Sequence, residues 1–229
     1  MSYYSENNYA YGYPYSSYGG GLPRKSGALI SRELPKDGNR SWRVTTQPII
    51  EPVTVDEVKL FSGLDTTEED TLIEGFIESA RYAAEEYLGR AFISQTIQTV
   101  MDFWPSDVVA LPRPPLISVD KVVALDEDDA ETEYSSDNYY LNTNAIPGQL
   151  IIKRSTSWPT NSTRDYSRFL IQSIHGYGTA ASDVPKPFRE GITLWASVIY
   201  DTRTFDPKNP PPEVRSKFDL YRISTVMIR

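Results

Sequence analysis

Residues 53–89 read VTVDEVKLFSGLDTTEEDTLIEGFIESARYAAEEYLG, and residues 184–202 read VPKPFREGITLWASVIYDT. Both are helical, and they bracket a long segment with the period of β-structure. In the first, Thr54 and Glu57 have capping-box spacing, so each side chain can satisfy a backbone N–H at a helix start. Gly63 is a natural stop. Thr67 then restarts the helix, with Glu68, Glu69 and Asp70 at the positive end of its dipole. Leu72, Ile73, Phe76, Ile77, Ala80, Ala83, Ala84, Tyr87 and Leu88 form an apolar stripe at spacings of three and four. Gly89 closes the helix. Glu74, Glu78, Arg81, Glu85 and Glu86 are expected on the opposite, solvent-facing side.

The second stretch opens on Pro185 and Pro187, which suit a first helical turn and its approach but not a helix interior. Phe188, Ile192, Trp195, Ala196 and Ile199 fall on one face, widened by Leu194 and Val198. Asp206-Pro207 and Pro210-Pro211-Pro212 end it. A short helix over Glu213–Tyr221 and an extended arm over Ile223–Arg229 follow. Neither flank can bury its stripe alone, so the two pack together and the intervening strands become an insert.

Within that insert, Ile97, Thr99, Met101 and Phe103 alternate with polar neighbours. Val119–Leu125, Tyr139–Leu141, Leu150–Lys153 and Arg168–His175 are further strand candidates, punctuated by prolines and glycines. The predicted fold is α+β. Helices at about 54–63, 68–88, 185–202 and 213–221 form a small bundle, and an antiparallel sheet or sandwich is inserted at about 94–175. Extended arms lie at both ends. As domains, residues 1–50 are a Tyr/Gly/Ser-rich extension, an arm or a disordered tail, 51–205 the bundle with its insert, and 206–229 a Pro-rich linker, short helix and arm. Which strand pairs with which is not readable from the pattern.

Composition narrows the function. No cysteine is present, which excludes disulfides and thiolate metal sites. No apolar run approaches the ~18 residues of a membrane span. Residues 1–50 carry net charge +3, residues 51–205 carry −13, and residues 206–229 carry +2. An acidic central domain does not grip phosphates, although a carboxylate-lined wall lets a duplex slide past without adhering. The run Asp126, Glu127, Asp128, Asp129, Glu131 and Glu133 lacks the ligand spacing and central glycine of a Ca²⁺ loop and reads as a solvated hairpin tip.

Catalytic motifs are missing from the sequence. His175 is the single histidine, and no nucleophile elbow accompanies any serine. There is no P-loop, zincin or dinucleotide motif. Glu85 and Glu86 are adjacent on a helix, do not face each other, and read as helix-surface charge rather than as a glycosidase pair. No cofactor or metal is expected. The rings of Trp104, Trp158, Tyr139, Tyr140 and Tyr166 leave open a second function, a sandwich with an aromatic platform acting as an adhesive or carbohydrate-binding module.

Four stretches, in order, resemble the head–tail connector (adaptor) proteins of tailed bacteriophages and gene transfer agents. They are Val53–Lys59, then the acidic start and helix ending Tyr87-Leu88-Gly89-Arg90-Ala91-Phe92-Ile93, then Leu111-Pro112-Arg113-Pro114-Pro115-Leu116-Ile117-Ser118-Val119. The last is Gly176-Tyr177-Gly178 running through Val184–Pro187 into the next helix. The resemblance spans about two-thirds of the chain, from Glu51 to Arg203. It implies a non-enzymatic virion part, a homo-oligomeric ring of about twelve subunits beneath the portal. Such a ring extends the DNA channel without specific DNA binding and meets a tail or further connector protein. It is assembled in the host bacterial cytoplasm.

The resemblance also implies a portal-binding role for Ser224, Thr225, Val226, Met227, Ile228 and Arg229. Leu72, Phe76, Ile77, Phe188, Ile192, Trp195 and Ile199 are expected in the bundle core or subunit interface. The N-terminal extension departs from the family pattern. Its Tyr3, Tyr4, Tyr9, Tyr11, Tyr13, Tyr15 and Tyr18, set among Ser, Gly and Asn, suit an arm that orders on a partner surface. It has neither the basic nor the apolar region of a signal peptide.

Overall fold

In a computed structural model, which describes residues 40–104, 107–159 and 164–222, the capping box forms as its spacing requires. Thr54 Oγ1 accepts from the Glu57 N–H at 3.2 Å, and the Glu57 carboxylate accepts from the Thr54 N–H at 2.8 Å. Helix α1 (Val55–Ser62) ends at Gly63, whose φ of 68° is the left-handed conformation glycine adopts without strain. Helix α2 (Asp70–Leu88) starts two residues later than Thr67 suggests, because the Thr66 and not the Thr67 hydroxyl receives a backbone N–H, that of Glu68. It stops at Gly89 as expected. Helix α3 (Lys186–Thr202) begins directly after Pro185, and α4 (Pro212–Phe218) continues into a 3-10 turn at Asp219–Tyr221.

The four helices share one core. Ile73, Ile77, Ala80, Ala84 and Leu88 of α2 meet Phe188, Ile192, Trp195 and Ile199 of α3, while Val58 and Val214 close the ends. Two residues of the α2 stripe sit at its margin. Leu72 is 42% exposed and outside the core, while Phe76 packs half-buried against the core with the Arg203 guanidinium over its ring. The apolar stripe is wider than the arc α3 can cover, and the helix turns Ile73 and Ile77 inward instead. On the other flank, Arg81 and Glu85 are buried rather than solvated, because the insert folds back against that side of the helix.

The insert consists of two antiparallel sheets. The strands are β1 (Ser41–Thr46), β2 (Gln95–Met101), β3 (Val108–Ala110), β4 (Leu116–Leu125), β5 (Glu131–Glu133), β6 (Tyr139–Asn142), β7 (Gln149–Ile152) and β8 (Phe169–His175). One sheet has the order β1-β2-β8-β4-β5, the other β3-β7-β6. Met101, Val122, Ile171 and Phe169 of the first pack against Val109, Leu150 and Tyr139 of the second. The small-sandwich expectation holds.

Strand β1 falls in the stretch expected to be an N-terminal arm; it pairs with β2 and edges the larger sheet. Most of its side chains are exposed, which is why it carries no core pattern. Asp126 sits at the turn of the β4–β5 hairpin, its carboxylate accepting from the N–H groups of Asp128 and Ala130, so the acidic run is the hairpin tip. Trp104 and Trp158 face inward. They stack with ring centroids 4.1 Å apart and Phe169 lies 4.6 Å from Trp104, leaving Tyr140 and Tyr166 as the exposed rings of the suspected platform.

Trp195 is 1% exposed, between Phe205 and Phe218. Replacing it by alanine is expected to destabilise the bundle by about 3–5 kcal/mol, as for large buried aromatics. Urea denaturation measures this, and a loss below ~1 kcal/mol would show that the site is not core.

Candidate functional site

Bundle and insert must be held in a fixed relation if the chain is to present a defined surface. What holds them is a joint around Glu85, which is 2% exposed. One carboxylate oxygen accepts from the Phe92 N–H at 2.9 Å and the Gln95 side-chain amide at 3.0 Å. The other faces Arg81 at 3.2 Å and Arg113 at 3.7 Å. Arg81 is held in turn by Glu51 at 2.7 Å, and Arg113 by Glu86. The Arg113 guanidinium also lies over the Trp42 ring of β1 at 4.8 Å. One carboxylate therefore ties α2 to the start of β2, to the loop before β4 and, through Arg113, to the edge strand. Burial pushes its pKa up, against the downward pull of Arg81, the Phe92 N–H and Arg113.

Three of the stretches singled out in the sequence converge here. The Ala91 N–H donates to Pro114 O at 3.1 Å, and the Gly176 N–H to Pro115 O at 3.0 Å. The Tyr177 N–H reaches Phe92 O, and the Ser94 N–H reaches Gly178 O, both at 2.8 Å. Gly176 has φ 133°, and a Cβ there would lie 2.7 Å from the Ile93 carbonyl, so only glycine fits.

His175 ends β8 inside the same joint. Its Nδ1 donates to the Arg113 carbonyl at 3.1 Å, leaving Nε2 to accept from the Ser173 hydroxyl at 2.8 Å. Burial holds it neutral by lowering its pKa to about 4. With both ring nitrogens engaged and the ring fully covered, it is a structural histidine. Among the described residues no group of three or more His, Cys, Asp or Glu is placed to hold a metal.

The expected interface residues separate. Ile77, Phe188, Ile192, Trp195 and Ile199 are all buried in the bundle, so they stabilise the subunit from within. The surfaces available to partners are different. Leu60 and Phe61 of α1 stand 86% and 57% exposed beside a groove of about 640 Å³ between α1 and α3, floored by Val184 and Leu194 and rimmed by Lys186 and Lys217. The sequence offered a signal for these two, since both are large, apolar and adjacent, and one helix face cannot bury both along with Val58. The tyrosines of the N-terminal extension and Ser224–Arg229 lie outside the described residues.

Two outcomes test the joint. Glu85→Gln is expected to cost about 3–5 kcal/mol, because two buried guanidiniums lose a partner; thermal denaturation reads it, and an unchanged protein would mean the joint is dispensable. For His175 the folded pKa lies below the unfolded one. Between pH 6.5 and about 4 the unfolded chain therefore takes up a proton that the folded chain refuses. Stability from this group is full above pH 6.5 and declines as pH falls, by about 3 kcal/mol in all. Wild type should lose that increment relative to His175→Gln, and parallel pH profiles would refute it.

With the geometry established, comparison with known proteins is direct. Residues 52–156, spanning α1, α2 and β2 to β7, match the family model of phage gp6-like head-tail connector proteins. No curated protein matches the chain. Among solved structures, a chain from the neck of an empty gene transfer agent (GTA) particle, computed with C6 symmetry, superposes with a TM-score of 0.69 at 20% identity. That match covers 80% of this chain and 96% of the other. A chain from the virion of a native GTA particle gives 0.67 at 20% identity, covering 80% and 95%. One from the neck of a native GTA particle, computed with C12 symmetry, gives 0.64 at 18%, covering 80% and 96%. Over α1 to β7 this chain is similar to the phage gp6-like head-tail connector proteins, and over four-fifths of its length it shares the fold of a chain from a gene transfer agent neck.

Proposed function

We propose that the protein is a structural adaptor that closes into a ring, of about twelve copies, beneath the portal and links capsid to tail. The observation that carries this reading is the agreement between the connector family match and a fold shared almost end to end with chains of gene transfer agent necks, one of them treated with twelvefold symmetry. The ring extends the DNA channel. A net charge of −13 over residues 51–205 supports passage of the duplex without adhesion, since carboxylates repel phosphates. The protein is assembled in the bacterial cytoplasm and resides at the head–tail interface of the virion. Its next partner is a tail or further connector protein.

Two terminal segments complete the scheme. Ser224–Arg229 reaches into the portal, and the tyrosines between Tyr3 and Tyr18 grip a neighbouring subunit, the portal or the tail. Tyrosine supports that role because it supplies broad contact area with a polar tip at low entropic cost. Inward-facing Trp104 and Trp158 speak against the sugar-binding alternative.

Mixing the purified protein with its cognate portal and imaging the product by electron microscopy tests the reading. Added ring density at the narrow end of the portal is expected, and a folded protein that leaves the portal bare would overturn it. Deleting Ser224–Arg229 should leave the melting temperature unchanged and abolish portal attachment. Undiminished binding of the truncated chain would remove the C-terminal assignment alone.

A further inference from the structure

A second groove, about 790 Å³ in volume, lies where the Ile50–Val55 segment passes over α2. Its walls include Ile50, Val55 and Ile77, and every charged side chain lining it is acidic: Glu51, Glu74 and Glu78. Glu51 is paired with Arg81, whereas Glu74 and Glu78 make no salt bridge among the described residues. Gly75 lies on this same helix face. A Cβ at that position would meet nothing within 4 Å. Glycine in a helix interior is unfavourable relative to alanine, and no packing among the described residues requires it here. The bare backbone at Gly75 makes room for something that approaches from outside. Ile49, 95% exposed, stands next to the groove.

The groove between α1 and α3 is lined by Lys186, Arg189 and Lys217 against Glu57 and Glu190; Arg189 pairs with Glu57, and the two lysines share Glu190, which leaves one positive charge in excess. Leu60 and Phe61 protrude, and Lys186, with 84% of its side chain exposed, lies on the rim with Lys217. The two grooves share no lining residue. We propose that they are the two halves of one contact between copies of this chain. The Leu60–Phe61 ridge of one copy covers Gly75 of the next, and Lys186 and Lys217, which have only Glu190 between them, face Glu74 and Glu78 across the boundary. Because each copy contributes two different surfaces, the contact runs head to tail and closes by rotation. This rests on the ring reading above and names the faces that make the ring.

The chain lacks cysteine, so introduced thiols report without background. Leu60→Cys/Glu78→Cys, treated at high protein concentration with a short bifunctional maleimide, should give a ladder of covalent oligomers, and each single variant should stay monomeric. Gly75→Leu should melt at or above the wild-type temperature while self-association weakens about tenfold or more. Dimers from a single-cysteine variant would overturn the proposal in favour of a two-fold contact. A lysine-directed cross-linker that yields a ladder with wild type, when the double variant yields none, would overturn the face pair and leave the ring intact. Absence of self-association with every reagent would also overturn the face pair, and the portal experiment would then judge the ring by itself.

Discussion

Everything in this subunit hangs on a buried carboxylate. Taking Glu85 out of water is costly, and its site is tolerable only because four donors converge on it. Those donors come from α2, the start of β2 and the loop before β4, so satisfying one charge fixes the attitude of the insert on the bundle. Apolar contact could join the same bodies, but it is non-directional and would tolerate sliding. A carboxylate with all its lone pairs assigned does not. In the adaptor role proposed above, that rigidity is the useful property.

The joint also explains why separate short motifs characterise the chain. Tyr87–Ile93, Leu111–Val119 and Gly176–Gly178 are distant in sequence, and none has chemistry of its own. In space they exchange backbone hydrogen bonds at one locus. Gly176 is there because the Ile93 carbonyl leaves no room for a side chain, and Arg113 because one guanidinium must reach Glu85, Glu86 and the Trp42 ring.

The helices were legible from sequence because caps and stripes are local. Thr54 with Glu57, Gly63, Gly89 and the prolines before Phe188 all act within a turn of themselves. The role of Glu85 was not legible. On a helical projection it joins Glu74 and Glu78 on a charged face, and only the return of the insert, through partners at positions 92, 95 and 113, converts it from surface to interior. Leu72 departs in the opposite sense, an apolar residue just beyond the arc that α3 covers. Strand β1 escaped notice because an edge strand with mostly exposed side chains has no burial to signal it. Strand order was out of reach because β2 pairs with β8 across some seventy residues, and no local pattern encodes that distance.

That pairing has a consequence of its own. Gln95, the first residue of β2, lies opposite His175, the last of β8. The insert therefore leaves the bundle and returns to it through a single rung of the ladder. To the helices, the sheets are a cassette plugged into one socket, and the turns at their far end are unconstrained by how the bundle folds. A lineage can then redesign those turns without disturbing the framework that carries them, and selection on the two ends of this molecule can proceed almost independently.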